Sequence, residues 1–253
     1  MPSTTFTVDC ILFDMDGTLV NSTAGVEGAW DLFKQTYPNI DVEDILSSSH
    51  GVRTIDNLRK HCGITDADEL EREAERFEKA IVTTSTENGR AGIVLLPGVK
   101  AAFEQARSLW ARFFLSADDL PQIGSAHALP HPRWAICTSA TRDYASSAVR
   151  LAGVPVPDVF VVAEDVVNGK PHPDPYLLGA TKCGVKPENC VVFEDAPAGV
   201  RSGQAAGCKT IGFLTTHPRS QMEAVKPDFL VQNMSNISFK LLETGVEITV
   251  NVE

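Results

Sequence analysis

No block of lysine or arginine occurs in this sequence. Its 22 basic residues are scattered through 253 positions against 33 acidic ones, a net charge of −11. That lack excludes a face for the nucleic-acid backbone, which needs clustered cations. Long apolar runs are missing as well, as are a signal peptide and a lipidation motif, so no membrane partner is expected. The six cysteines (Cys10, Cys62, Cys137, Cys183, Cys190 and Cys208) show none of the short spacings of a zinc site and read as reduced thiols of a cytoplasmic protein. There is no internal repeat. What remains, 43% hydrophobic and 22% charged, suits a soluble chain able to bury one full α/β core and a smaller second unit.

The stretch that organises the chain is Val8–Val20, a short apolar strand running into Asp14, Asp16, Gly17 and Thr18. Such a run suits a strand buried on both faces of a parallel sheet, and open α/β sheets gather their chemistry just beyond the carboxyl ends of the strands. If the chain turns at Gly17, one aspartate can offer its side chain to a metal and the other its backbone carbonyl. A plain Asp-Gly surface turn would need no apolar run driving into it. A calcium loop of EF-hand type wants its glycine sixth, whereas Gly17 is fourth from Asp14.

Periodicity then changes to helical. Helices are predicted at 24–37, 41–46, 55–61 and 66–83, the last strongly charged and best suited to a solvated position. Residues 20–92 thus form an all-helical insert between core segments 1–19 and 93–253, with 86–92 as a hinge. A helix follows Pro97-Gly98. Residues 110–128 have no clear period and pass into a loop-like run rich in Asp, Pro, Gly, Ser and His, and a structureless insert of that length is unusual in a compact domain. Strands are predicted at 134–137, 159–162, 190–193, 210–214 and 229–231, separated by helices at 143–151, 176–183 and 198–206. Strands alternating with helices give a doubly wound α/β fold, a Rossmann-like parallel sheet.

Four strand ends carry reactive residues: Asp14/Asp16, Thr138/Ser139, Lys170 and Glu194/Asp195. Each alone has an ordinary explanation; Ser139, for example, would serve as a helix N-cap. Together, in a doubly wound sheet, they converge on one crevice and make a set suited to phosphoryl transfer.

With all four motifs in this order the chain resembles the haloacid dehalogenase-type phosphohydrolases. Asp14-Met15-Asp16-Gly17-Thr18 matches the first motif, Ser139 the second, Lys170 in Gly-Lys-Pro the third and Glu194-Asp195 the fourth. Within that family, 49–54, 169–176 and 192–199 look most like the fungal glycerol-phosphate and 2-deoxyglucose-6-phosphate phosphatases. The resemblance implies a helical cap at 20–92 and a monomeric cytoplasmic enzyme acting on a small phosphorylated polyol or sugar. It also implies Asp14 as nucleophile, Asp16 as acid and base, and Mg2+ held by Asp14, the Asp16 backbone carbonyl and Asp195, with Glu194 as a further ligand or just behind them. Thr18, Ser139, Ala140 and Lys170 would bind phosphate, and His50 and Arg53 would contact substrate from the cap. A sugar phosphomutase of the beta-phosphoglucomutase type would use the same set. A catalytically dead ligand sensor should have lost Asp14 or Asp16, and both are present.

Overall fold

The chain enters as β1 (Ser3–Val8), turns at Asp9 and continues as β2 (Cys10–Phe13), all of whose residues are buried. Val8–Phe13 is therefore not one strand, as the apolar run suggested. The Asp9 amide donates to the Asn189 carbonyl (2.8 Å) and its carboxylate accepts from the Asn189 side chain (2.8 Å), an anchor that passes the chain from one sheet to another. Next come β3 (Val20–Asn21), the helices α1 (Thr23–Thr36), α2 (Val42–Ser48), α3 (Thr54–Cys62) and α4 (Ala67–Thr84), and β4 (Val94–Leu95). After α5 (Val99–Gln105) the order is β5 (Trp134–Cys137), α6 (Arg142–Ala152), β6 (Val159–Val161), α7 (Asp174–Lys182) and β7 (Cys190–Glu194). It ends with α8 (Pro197–Ala206), β8 (Lys209–Phe213), α9 (Arg219–Ala224), β9 (Phe229–Val231) and the hairpin β10 (Ile237–Leu242) to β11 (Gly245–Asn251). This computed structural model describes residues 3–105 and 134–252, so the predicted insert at 110–128 lies outside the described residues.

The central sheet has the order β6-β5-β2-β7-β8-β9, and every neighbouring pair is parallel. Strand order reverses at β2, which places a topological switch point, and hence a crevice, beyond its carboxyl end. Alternate residues of β2 serve opposite faces. Cys10 and Leu12 pack with Tyr176, Ala180 and Cys183 on the α7 side, while Ile11 and Phe13 join the larger core with Trp134 and Phe193.

That larger face has a cover the periodicity did not reveal: an antiparallel sheet of order β1-β11-β10. It delivers Phe239 against Phe13 and Phe193, with centroids 6.4 and 5.8 Å apart. The insert helices also depart from expectation at α4. Its charged face is solvated, but Leu70, Ala74, Phe77 and Ile81 are buried, and Phe77 packs on Trp30 (4.5 Å) and Phe33 (4.9 Å) of α1. Burying one such aromatic contributes about 1.5–3 kcal/mol, which holds the helix in place despite its charge. Asp41 and Asp66 cap α2 and α4 by accepting from first-turn amides. Among the described residues no helix is long and apolar enough to cross a membrane.

Candidate active site

The end of β2 is locked before any chemistry begins. Asp14 donates its amide to the Phe193 carbonyl (3.0 Å), so the β2–β7 ladder continues one residue past the strand. The chain then wraps tightly, with the Leu19 and Val20 amides both reaching the Met15 carbonyl. Gly17 sits at φ +84° against the Asp195 carboxylate, and any Cβ there would occupy the same space. Only glycine meets both demands. Asp195 is fixed in turn by the hydroxyls of Thr18 (3.1 Å) and Thr216.

Lys170, on the loop after β6, sends a fully buried ammonium between Asp14 Oδ1 (2.5 Å) and Glu194 Oε1 (2.7 Å). Glu194 is satisfied further by the Tyr176 hydroxyl (2.6 Å) and by the amides of Asp195 and Ala196 (3.1 Å each). Asp14, Glu194 and Asp195 each present a carboxylate oxygen within 4.8 Å of the others, and all three are buried. Asp14 Oδ2 is buried with no hydrogen-bond partner. Three clustered carboxylates against one ammonium, with an orphaned oxygen among them, fit a hard divalent cation with oxygen ligands. Without one, burial pushes Asp14 well above the ordinary carboxylate range despite Lys170 and drives Asp195 up to about 7. Burial opposes the Lys170 ammonium, but Asp14 and Glu194 outweigh it and keep the lysine charged.

Asp16 is expected at the metal through its backbone carbonyl, not through its carboxylate. Its side chain lies outside the trio and accepts from the Tyr144 hydroxyl (2.7 Å). Burial raises its pKa, against the hydrogen bonds from Ser22 and Tyr144. Asp14 and Asp16 open on a cavity whose far wall comes from α1, α3 and α4.

Of the expected phosphate and substrate residues, Ser139, Ala140 and His50 line this cavity. Ser139 donates to the Gly51 carbonyl (2.9 Å), bridging the core loop to the helical insert, and the Ala140 amide donates to Thr138 Oγ1 (3.1 Å). Lys170 and Thr18 are not cavity-lining; both are committed to the carboxylates. Arg53 is not brought to the cavity either. It pairs with Asp56 (3.0 Å), donates to the Val167 carbonyl (3.2 Å) and lines an adjoining cleft. The His50 ring stands 5.9 Å from that of His217, and burial, then His217, lowers its pKa to about 4.

Four site residues escaped the sequence: Tyr144, Tyr176, Thr216 and Glu78. No spacing marks the first three. Glu78 did carry a signal, since it falls beside Phe77 on the apolar stripe of α4. It accepts from the Thr54 hydroxyl (2.7 Å), the Thr141 amide (3.4 Å) and the Thr141 hydroxyl. Burial raises its pKa while those Thr141 and Thr54 donors lower it.

The pattern of the haloacid dehalogenase-like hydrolases matches residues 8–207. Hexitol phosphatase A of Escherichia coli is 41% identical over 201 residues, 79% of this chain and 80% of that protein. Glycerol-1-phosphate phosphohydrolase 2 of Saccharomyces cerevisiae is 33% identical over 237 residues, 91% of this chain and 84% of its own. Among solved structures, CbbY from Rhodobacter sphaeroides in complex with phosphate shares the fold with a TM-score of 0.68 at 20% identity, over 90% of this chain and 95% of that one. With its four strand-end motifs meeting in one buried site, the chain belongs to the haloacid dehalogenase-like hydrolases.

Proposed function

We propose that this hydrolase is a magnesium-dependent phosphatase of small phosphorylated polyols or sugars, working through an aspartyl-phosphate on Asp14, with residues 20–92 as its cap. The observation that carries the proposal is the state of Asp14. One carboxylate oxygen is held by Lys170, the other is buried and unpartnered, and the side chain opens on the cavity. The activities named for the two relatives, on hexitol phosphates and glycerol 1-phosphate, support the substrate class.

An Asp14 oxygen attacks phosphorus as the ester P–O bond breaks, and the phosphoryl group passes to the carboxylate. Asp16 protonates the departing alcohol oxygen. Burial, which raises its pKa, suits it to hold that proton, and Tyr144 fixes its direction. Asp16 then takes a proton from the water that attacks the acyl-phosphate, releasing phosphate and restoring Asp14. Lys170 keeps the Asp14 carboxylate aimed, and Ser139 and Ala140 line the cavity, where their donors would turn from the Gly51 carbonyl and Thr138 Oγ1 to the phosphoryl oxygens. Magnesium, bound by Asp14, Glu194, Asp195 and the Asp16 backbone carbonyl, would neutralise charge on the phosphoryl oxygens.

The deciding experiment is a panel of polyol and sugar phosphates assayed for phosphate release with Mg2+ and with EDTA. Release from polyol phosphates that stops in EDTA is expected, and none from any member refutes the assignment. Incubation with a hexose 1-phosphate, scored for hexose 6-phosphate against free phosphate, separates hydrolysis from phosphomutase activity.

A further inference from the structure

Among the described residues, no lysine or arginine lines the cavity over Asp14 and Asp16. Lys170 is consumed by Asp14 and Glu194 behind it, and Arg53 is tied to Asp56 and Val167 outside it. Burial, and then His217, lowers the pKa of His50, the one basic side chain on the wall among the described residues, to about 4. The wall opposite Asp14 combines apolar surface from Trp30, Phe77 and Ile81 with the polar side chains of Thr54, Asn57 and Glu78.

Glu78 decides the sign of that wall. It is 3% exposed and has no ion pair among the described residues. Its partners are the hydroxyls of Thr54 and Thr141 and the Thr141 amide at the N-terminus of α6, all donors that match a carboxylate. Burial raises the Glu78 pKa, and the Thr141 and Thr54 donors hold the group toward its ionised form; unlike Asp14, it meets no ammonium among the described residues. A second anionic group on the substrate, once the cap wall closed over it, would face this charge with little water to screen it. A hydroxyl in the same place could donate to Glu78 or Asn57, or rest on the aromatic rings.

Building on the phosphatase assignment, we infer that Glu78 restricts this enzyme to phosphomonoesters of uncharged alcohols and rejects phosphorylated acids and bisphosphates. The device is repulsive, so it discriminates without tightening the wanted substrate. It also disfavours return of the phosphoryl group to a sugar that already carries one, because the product would be a bisphosphate.

The test uses the full chain with Mg2+ at neutral pH and two matched pairs: sorbitol 6-phosphate with 6-phosphogluconate, and glycerol 3-phosphate with 3-phosphoglycerate. Each pair differs at one terminus, CH2OH against carboxylate. In the wild type the neutral member of each pair should lead in kcat/KM by about tenfold or more, a gap equivalent to ~1.4 kcal/mol. Glu78→Gln keeps the shape and removes the charge, so the ratio should contract severalfold, with the melting temperature reporting on the fold. A wild-type ratio near one in both pairs overturns the inference without any variant, and so does a folded Glu78→Gln that keeps the wild-type ratio. If p-nitrophenyl phosphate and both neutral esters all fail to release phosphate, the phosphatase assignment falls and this inference with it. Turnover of p-nitrophenyl phosphate without discrimination removes the inference alone.

Discussion

Replacing Lys170 with methionine tests the charge balance of the site most directly. The methionine fills nearly the same space, so the packing loss is small and the change is chiefly electrostatic. Lys170 has no exposed side-chain surface and is the ammonium that contacts both Asp14 and Glu194. Its removal leaves Asp14, Glu194 and Asp195 buried together with no counter-charge. Losing one partner of a buried ion pair costs about 3–5 kcal/mol. At roughly 2–4 °C per kcal/mol for a chain near this size, the metal-free variant should melt ~6–20 °C below the wild type. The acids can escape by taking up protons, so the gap should narrow as pH falls. Magnesium replaces the missing charge and should raise the variant's Tm more than the wild type's; a ligand at 100 times its Kd adds about 2.7 kcal/mol. Calorimetry in EDTA and in Mg2+ reads both effects. Equal melting in EDTA, or equal gains from Mg2+, would refute the charge argument.

Asp14→Asn is nearly isosteric and should retain the fold while losing turnover, and borohydride trapping of the phosphoenzyme should label Asp14 in the wild type; a purified variant with full activity ends the proposed mechanism. In the metal-free protein Asp195 titrates near 7 and Asp14 is raised as well, against an ordinary 3.8. The folded state therefore holds protons that the unfolded chain releases above about pH 4, and these acids weaken the fold as pH rises toward 7. Because magnesium needs them ionised, its increment in Tm should grow between about pH 5 and pH 7.5, and a flat or falling increment would contradict the ligand set. Arg53→Ala removes a clasp to Asp56 and the Val167 carbonyl outside the cavity, so kcat/KM should fall by a similar factor for a polyol phosphate and for p-nitrophenyl phosphate. A loss confined to the polyol phosphate would restore Arg53 as a substrate contact.

What the sequence could disclose was local. The apolar run into Asp14 located the central strand, and glycine at 17 announced a turn, because both are properties of neighbouring residues. The four reactive strand ends became a single site only through the rule that parallel sheets collect their carboxyl ends. Partners such as Tyr144 for Asp16 and Tyr176 for Glu194 stand 128 and 18 residues away, and although Tyr176 closes a family-like stretch, no spacing pairs either with its carboxylate. The terminal hairpin was legible in principle, since Ile237 and Phe239, then Val246, Ile248 and Val250, alternate inward. Its partner is β1, at the opposite end of the chain, and pairing across that separation leaves no local mark. Arg53 shows the converse. Its setting beside a break in helical period suggested reach toward substrate, whereas Asp56, three residues on, and a core carbonyl claim it first.

The small β3–β4 ribbon has a practical use. Val20 lies opposite Leu95 and Asn21 opposite Val94, so everything between departs and returns through two adjacent, hydrogen-bonded strands. An inserted segment whose ends already meet imposes almost no stretch on the host, whatever its length. A graft made across this ribbon could exchange residues 22–93 for the corresponding stretch of another hydrolase while β2, β5 and β7 kept their register. The residues proposed to hold phosphate would stay with the recipient, and the wall carrying Glu78 would travel with the graft. Substrate choice in such chimeras should follow the transplanted piece, making the ribbon a natural splice point for redesign.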